Sequence, residues 1–207
     1  MKKDKAHTIA FIGIMAALTF VLFTLETAVL APVGMTACIL SLPVSIALSI
    51  YDDWKRSFIG GTILGVCSCI NCLIFTAFIQ YANPLISILP RTCIGITAYW
   101  TYFGLSKLFK KSNKLIIRES IPCAIAGIVG SVTNTVLYLT MANLLLGGTF
   151  QTAMNSIVAV AVAIYFPIEL AACAVLVPIY VRVIKKFLHL DGAKPVEKQI
   201  SAVEENQ

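Results

Sequence analysis

The chain has 207 residues, of which 58% are hydrophobic and 13% charged, with a formal net charge of +6. A soluble domain carries about 25% charged residues, so water is excluded as the main solvent and a polytopic membrane protein is indicated. The positive charge sits in loops and ends without interleaved aromatics, which suits an anionic cytoplasmic leaflet and excludes a nucleic-acid surface.

The first predicted span covers 8–28. Ile9 to Phe23 behind Met1-Lys2-Lys3 has the look of a signal peptide, but Val29-Leu30-Ala31 is a poor cleavage site, so the segment is counted as a span. Ala6, Ala10, Gly13 and Ala17 recur along one face of its inner half. Small residues at helical spacing admit a second helix at close range, either within this chain or from a partner. Glu26, near the outer end, is expected to meet water. The stretch 37–51 is shorter and carries Pro43, yet Tyr51-Asp52-Asp53-Trp54-Lys55-Arg56 reads as a cytoplasmic turn, and two cytoplasmic markers need an even number of crossings between them.

A third span is predicted over 57–79. Its Cys67, Cys69 and Cys72 do not share one helical face, so no metal site is expected of them. The fourth, 86–107, contains Arg91, with Pro90 marking its start. A fifth covers 119–146 and a sixth 154–182, the last with Pro167 two residues before Glu169. A proline there frees a carbonyl one turn earlier and favours a kink at a binding site. The glycines at 60, 61, 65, 127 and 130 are assigned to internal packing.

The fold class expected is therefore all-α: six transmembrane helices with both termini cytoplasmic. A single membrane domain covers 1–190 and a polar cytoplasmic tail 191–207. Outer loops fall near 29–36, 80–85 and 147–153. No internal repeat of the kind found in many secondary transporters is present.

All the Lys and Arg residues except Arg91 lie in the basic clusters at Lys2–Lys5, Lys55-Arg56, Lys107–Arg118, Arg182–Lys186 and the tail. Used as rulers at about 1.5 Å per residue, these clusters place Arg91, Asn134, Asn71 and Glu169 in one slab, about 20–24 Å above the cytoplasmic markers. A charge in hydrocarbon is costly unless it faces a partner or a cavity. Arg91 either pairs with Glu169, reaches the outer headgroups, or lines a ligand pocket and grips a carboxylate or phosphate through its fork. Asn83, beside Arg91 in sequence, joins this candidate set. Tyr99, Trp100, Tyr102, Phe103, Tyr138, Tyr165 and Phe166 are weaker candidates for a pocket wall, because such residues commonly face lipid.

Four stretches carry a resemblance to a known family. They are the first span with its small-residue stripe, Leu42-Pro43-Val44-Ser45-Ile46-Ala47-Leu48, Gly130-Ser131-Val132-Thr133-Asn134-Thr135, and Ile168-Glu169-Leu170. Their order and spacing, over nearly residues 5 to 187, resemble the substrate-binding S components of energy-coupling factor (ECF) transporters, bacterial vitamin importers. The resemblance implies a vitamin pocket under the outer loops, with a transmembrane coupling subunit and two cytoplasmic ATPases driving release inside. It also implies that Ala6, Ala10, Gly13 and Ala17 meet the coupling subunit. Gly13 stands where the family motif has a leading Ala, and Tyr51-Asp52-Asp53 departs from a Gly-Pro-like turn.

The chain lacks a G-x-x-x-x-G-K-[ST] loop, so nucleotide handling is expected in another subunit. Arg91 argues for an anionic vitamin, and the asparagines with Glu169 for hydroxyls or an amide. Pantothenate fits best, and Asn83 to Arg91 resembles pantothenate-type members; folate, riboflavin and vitamin B6 stay open. No cofactor is expected.

Three rival classes remain. A membrane enzyme would need a nucleophile and base or metal ligands, but His7 and His189 are expected at the cytoplasmic ends, far from the polar layer. A stand-alone ion-coupled transporter of a small organic anion would use Glu169 as its coupling carboxylate. A purely structural subunit leaves Arg91 unexplained.

Overall fold

The computed structural model describes residues 2–30, 38–51, 57–75, 82–109, 115–146 and 159–189. Within them the chain is all-helical: α1 (Lys2–Leu30), α2 (Ser41–Tyr51), α3 (Ser57–Ile74), α4 (Pro84–Ser87), α5 (Leu89–Phe109), α6 (Leu115–Leu146) and α7 (Ala159–His189). The turn 52–56, most of the predicted outer loops and the tail from 190 onward fall outside the described residues.

Among the described residues four stretches are long and apolar enough to cross a membrane: Ile9–Leu30, Ser57–Ile74, Arg118–Leu145 and Ala163–Lys186. Their outward faces carry exposed Ile, Leu and Val side chains, such as Ile14, Leu73, Val136 and Val175. A bilayer accommodates such residues at no cost, whereas water would not. Helix α5 has 21 residues, enough length to cross, but Arg91, Lys107 and its hydroxyl-bearing residues interrupt the apolar run. Pro90 occupies its second position, where a missing N–H costs nothing.

Helix α2 is the exception in length and in burial. Its eleven residues span about 16 Å, too little to cross an apolar layer of about 30 Å. Yet every residue from Ser41 to Ile50 is buried, because α1, α3, α5, α6 and α7 all pack against it. Pro43 lies in its first turn, where no backbone bond is lost. Ser45 Oγ donates to the Gly60 carbonyl on α3 at 2.8 Å, and Ser49 Oγ to the Ser45 carbonyl at 2.9 Å. Short hydroxyl side chains thus let α2 and α3 approach closely.

Glycines set the close contacts on which the site depends. A Cβ on Gly61 would collide with the Arg91 carbonyl, and one on Gly95 with the Ser57 carbonyl. On Gly65 it would lie 2.8 Å from Ile88 Cα, and on Gly127 2.7 Å from the Cys173 carbonyl. The internal-packing role assigned to the glycines at 60, 61, 65, 127 and 130 is what the structure shows. The same contacts fix antiparallel registers: Gly61 faces Arg91 across α3–α5, and Gly127 faces Cys173 across α6–α7.

Candidate ligand-binding site

Arg91 is 4% exposed, and its side chain runs back along α5 so that Nη1 donates to the Ser87 carbonyl at 2.9 Å. The guanidinium lies over two rings, 5.9 Å from the centroid of Phe23 on α1 and 5.5 Å from that of Tyr138 on α6. Such placement stabilises a cation held away from water. Among the described residues Arg91 forms no ion pair, and its Nε has no hydrogen-bond partner. Neither snorkelling nor a direct bridge to Glu169 accounts for this charge.

Glu169 is 8% exposed. Its Oε1 accepts from Ser131 Oγ at 2.8 Å, and the Asn134 side chain is a second hydrogen-bond partner of the carboxylate. Arg91 and Glu26 lie near enough to act on it electrostatically. Three of the sequence candidates, Arg91, Asn134 and Glu169, thus converge from α5, α6 and α7. The registers explain why: Gly130 abuts Ile94, which brings Asn134 level with Arg91, and the α6–α7 register sets Ser131 opposite Glu169.

Asn71 is fully buried on α3, donates to the Cys67 carbonyl at 2.9 Å and leaves Oδ1 unpartnered among the described residues. Its predicted level needs correcting. Gly61, not Asn71, faces the Arg91 backbone, and Asn71 lies ten residues beyond it, about 15 Å along α3. Cys69 Sγ reaching the Ala82 carbonyl at 3.1 Å confirms the outward position. The shared slab assumed that all basic markers lie at one depth. Ser57, the start of α3, instead lies beside Gly95, well above Lys107. The long Arg91 side chain closes part of the gap, since Cys72, next to Asn71, feels its charge.

Asn83 has a different role. Its exposed side chain caps α4, Oδ1 accepting from the Leu85 N–H at 3.1 Å. The aromatics also divide. Tyr138 flanks the guanidinium, whereas Tyr99, Trp100 and Phe103 form a ring cluster toward the Lys107 end, with Trp100 55% exposed.

Glu26 overturns an expectation. It does not meet water: it is buried, and its carboxylate accepts from the Leu40 N–H, from the Ser41 N–H at 3.4 Å and from Ser41 Oγ at 2.6 Å. Position near a helix end suggested an interface, while the partners that bury it lie in the next segment. A readable signal did exist. Thr19, Phe23, Glu26 and Thr27 share one helical face, and all are buried.

On the opposite side of α1, Ala10, Gly13 and Ala17 are exposed, and a Cβ on Gly13 would meet nothing within 4 Å. Among the described residues, packing within this chain therefore does not use Ala10, Gly13 or Ala17. The Ala6 side chain lies outside the described residues, as do those of His7 and His189.

Arg91, Asn134 and Glu169 bring together one buried cation, one buried carboxylate and unpaired polar atoms. Among the described residues the buried unpartnered atoms are one donor, Arg91 Nε, and two acceptors, Oδ1 of Asn134 beside Glu169 and, farther along α3, Oδ1 of Asn71. An unmade buried bond costs about 1–3 kcal/mol, so an arrangement of this kind is stabilised by a ligand that brings one acceptor and two donors.

A search among curated proteins finds similarity to the pantothenic acid transporter PanT of Lactococcus lactis subsp. cremoris, 28% identical over 181 residues, covering 79% of this chain and 86% of the relative. This relative supports the resemblance to pantothenate-type members read from the sequence. No family model matches the chain, and no solved structure matches it. The similarity and the long apolar helices make this a multi-pass protein of the bacterial cell membrane.

Proposed function

We propose that this protein is the vitamin-binding S component of an ECF-type importer, capturing pantothenate from outside the cell for ATP-driven uptake by partner subunits. The observation that carries the reading is the set of buried, unpartnered polar atoms on Arg91, Asn134 and Asn71. Pantothenate has one carboxylate, two hydroxyls and an amide. Its carboxylate supplies an acceptor for Arg91, and its hydroxyls supply donors for Asn71 and Asn134, with Glu169 positioned to accept from the remaining polar hydrogen. The Lactococcus relative, a pantothenic acid transporter, agrees with that chemistry.

In this reading α2 and α5 complete a six-span bundle with both termini cytoplasmic. The chain binds and performs no bond-breaking chemistry. The face of Ala6, Ala10, Gly13 and Ala17, exposed at the last three, receives the transmembrane coupling subunit, since a surface open to a Cβ is open to a neighbouring helix. Two ATPase subunits supply the energy that this chain has no nucleotide loop to harvest.

Mass spectrometry of small molecules released from the purified protein tests the ligand. Pantothenate recovered near one per chain is the expected result, and its absence after expression in pantothenate-containing medium contradicts it. Uptake of pantothenate by liposomes containing this chain alone under an ion gradient would decide for the stand-alone transporter. Gly13→Leu is expected to retain pantothenate binding and to lose copurification with the coupling subunit; wild-type stoichiometry in the copurified complex refutes the partner assignment.

A further inference from the structure

Helix α1 packs against α2 and α3, and it contributes an aromatic wall to the site through Phe23, whose ring lies under the Arg91 guanidinium. One turn further on, Glu26 crosses to another segment. Its two carboxylate oxygens take up the N–H groups of Leu40 and Ser41 and the Ser41 hydroxyl. The N–H groups at the start of a helix have no partner within it, and they favour a negative charge. The cap of α2 is therefore supplied by a different helix, fourteen and fifteen residues earlier in the chain.

The segment so held also touches the site. The backbone bond from the Leu42 N–H to the Cys38 carbonyl, 3.2 Å, makes Cys38 part of the same first turn. Cys38 is buried, and its thiol lies within electrostatic range of Arg91, Glu169 and Glu26 together. Glu26 thus stands between two pieces of the pocket wall that no shared helix connects: Phe23 on α1 and Cys38 before α2.

We propose that Glu26 is a positioning residue for ligand binding, a latch that fixes α1 to the first turn of α2 and so sets Phe23 and Cys38 against Arg91. This rests on the reading of that pocket as the vitamin site. A cap with no further role would stabilise the fold alone; a latch also sets affinity. The latch further joins the two faces of α1, because the helix that carries Phe23 and Glu26 inward carries the Gly13 stripe outward.

The test compares wild type with Glu26→Gln, which keeps the shape and one acceptor oxygen, with Ser41→Ala, and with the double variant. Pantothenate affinity is measured by calorimetry, and the alkylation rate of Cys38 in ligand-free protein by site-resolved mass spectrometry. Each single variant is expected to weaken binding by about tenfold and to speed Cys38 alkylation. The double variant is expected to be little weaker than Glu26→Gln, because both changes break one contact. Affinity within about twofold of wild type in Glu26→Gln overturns the positioning role, whatever Cys38 does. A wild type that does not bind pantothenate overturns the functional reading instead. The Cys38 rate then reads the latch alone, a faster rate supporting it and an unchanged rate refuting it.

Discussion

Helices α6 and α7 are joined by polar side chains at two levels, Ser131 with Glu169 in the interior and Glu119 with Lys185 some three turns nearer the basic end. Both use a carboxylate, with a hydroxyl as donor in the first and a lysine ammonium in the second. At the outer level Ser131 and Glu169 are buried, with unpartnered polar atoms beside them. At the inner level the Lys185–Glu119 pair, at 3.3 Å, is 28% and 34% exposed, and Arg182 donates to the Ser120 hydroxyl at an exposed position. Water screens the second pair until it is worth about 0–1 kcal/mol. It cannot reach the first, where each unmade bond costs more than a made one gains. Glutamate contacts on the same helix pair therefore differ in weight: one lies at a screened surface, the other in the buried interior.

Three substitutions sharpen this contrast. The largest effect is expected from Arg91→Ala, which leaves the ligand carboxylate without its donors; pantothenate affinity measured by calorimetry should fall by about 2 kcal/mol or more, roughly thirtyfold. Unchanged affinity removes Arg91 from the pocket. Ser131→Ala removes one of the two donors to Glu169, and about 1–2 kcal/mol of stability should be lost in thermal unfolding; a melting temperature equal to wild type would show that the outer contact is as weak as the inner one. Glu119→Gln is expected to change stability by less than about 0.5 kcal/mol and ligand affinity not at all. A loss as large as that of Ser131→Ala would erase the distinction between the two levels.

Much of the fold was legible from where apolar runs met basic clusters. The helices at 2–30, 57–74, 115–146 and 159–189 overlap their predicted spans closely, because a bilayer imposes length and hydrophobicity together. The shape of α2 was not legible. Its apolar run has no periodicity to betray that five other helices surround it, and so its burial exceeds that of spans twice its length. Within the site, Arg91, Asn134 and Glu169 announced themselves as polar groups in apolar sequence. The outward place of Asn71 could not be read, since it depends on the start of α3 lying beside Gly95 rather than level with Lys107. Glu26 was misjudged for a related reason: the helical face it shares with Thr19, Phe23 and Thr27 signals burial, but its partners, two backbone N–H groups and the Ser41 hydroxyl, lie in another segment that no spacing in the sequence pairs with it. The outward-facing Gly13 and the inward-facing Gly61 likewise look alike in sequence, and only packing separates them.

The claim that matters most is that the Arg91 guanidinium reads a carboxylate delivered from outside. Calorimetric titration of the wild-type chain with pantothenate and with its alcohol analogue pantothenol, which differs only at the carboxylate, examines that pairing directly. The expected result is a preference for pantothenate of about thirtyfold or more, lost in Arg91→Ala. Equal affinity for the two compounds in the wild type would contradict it.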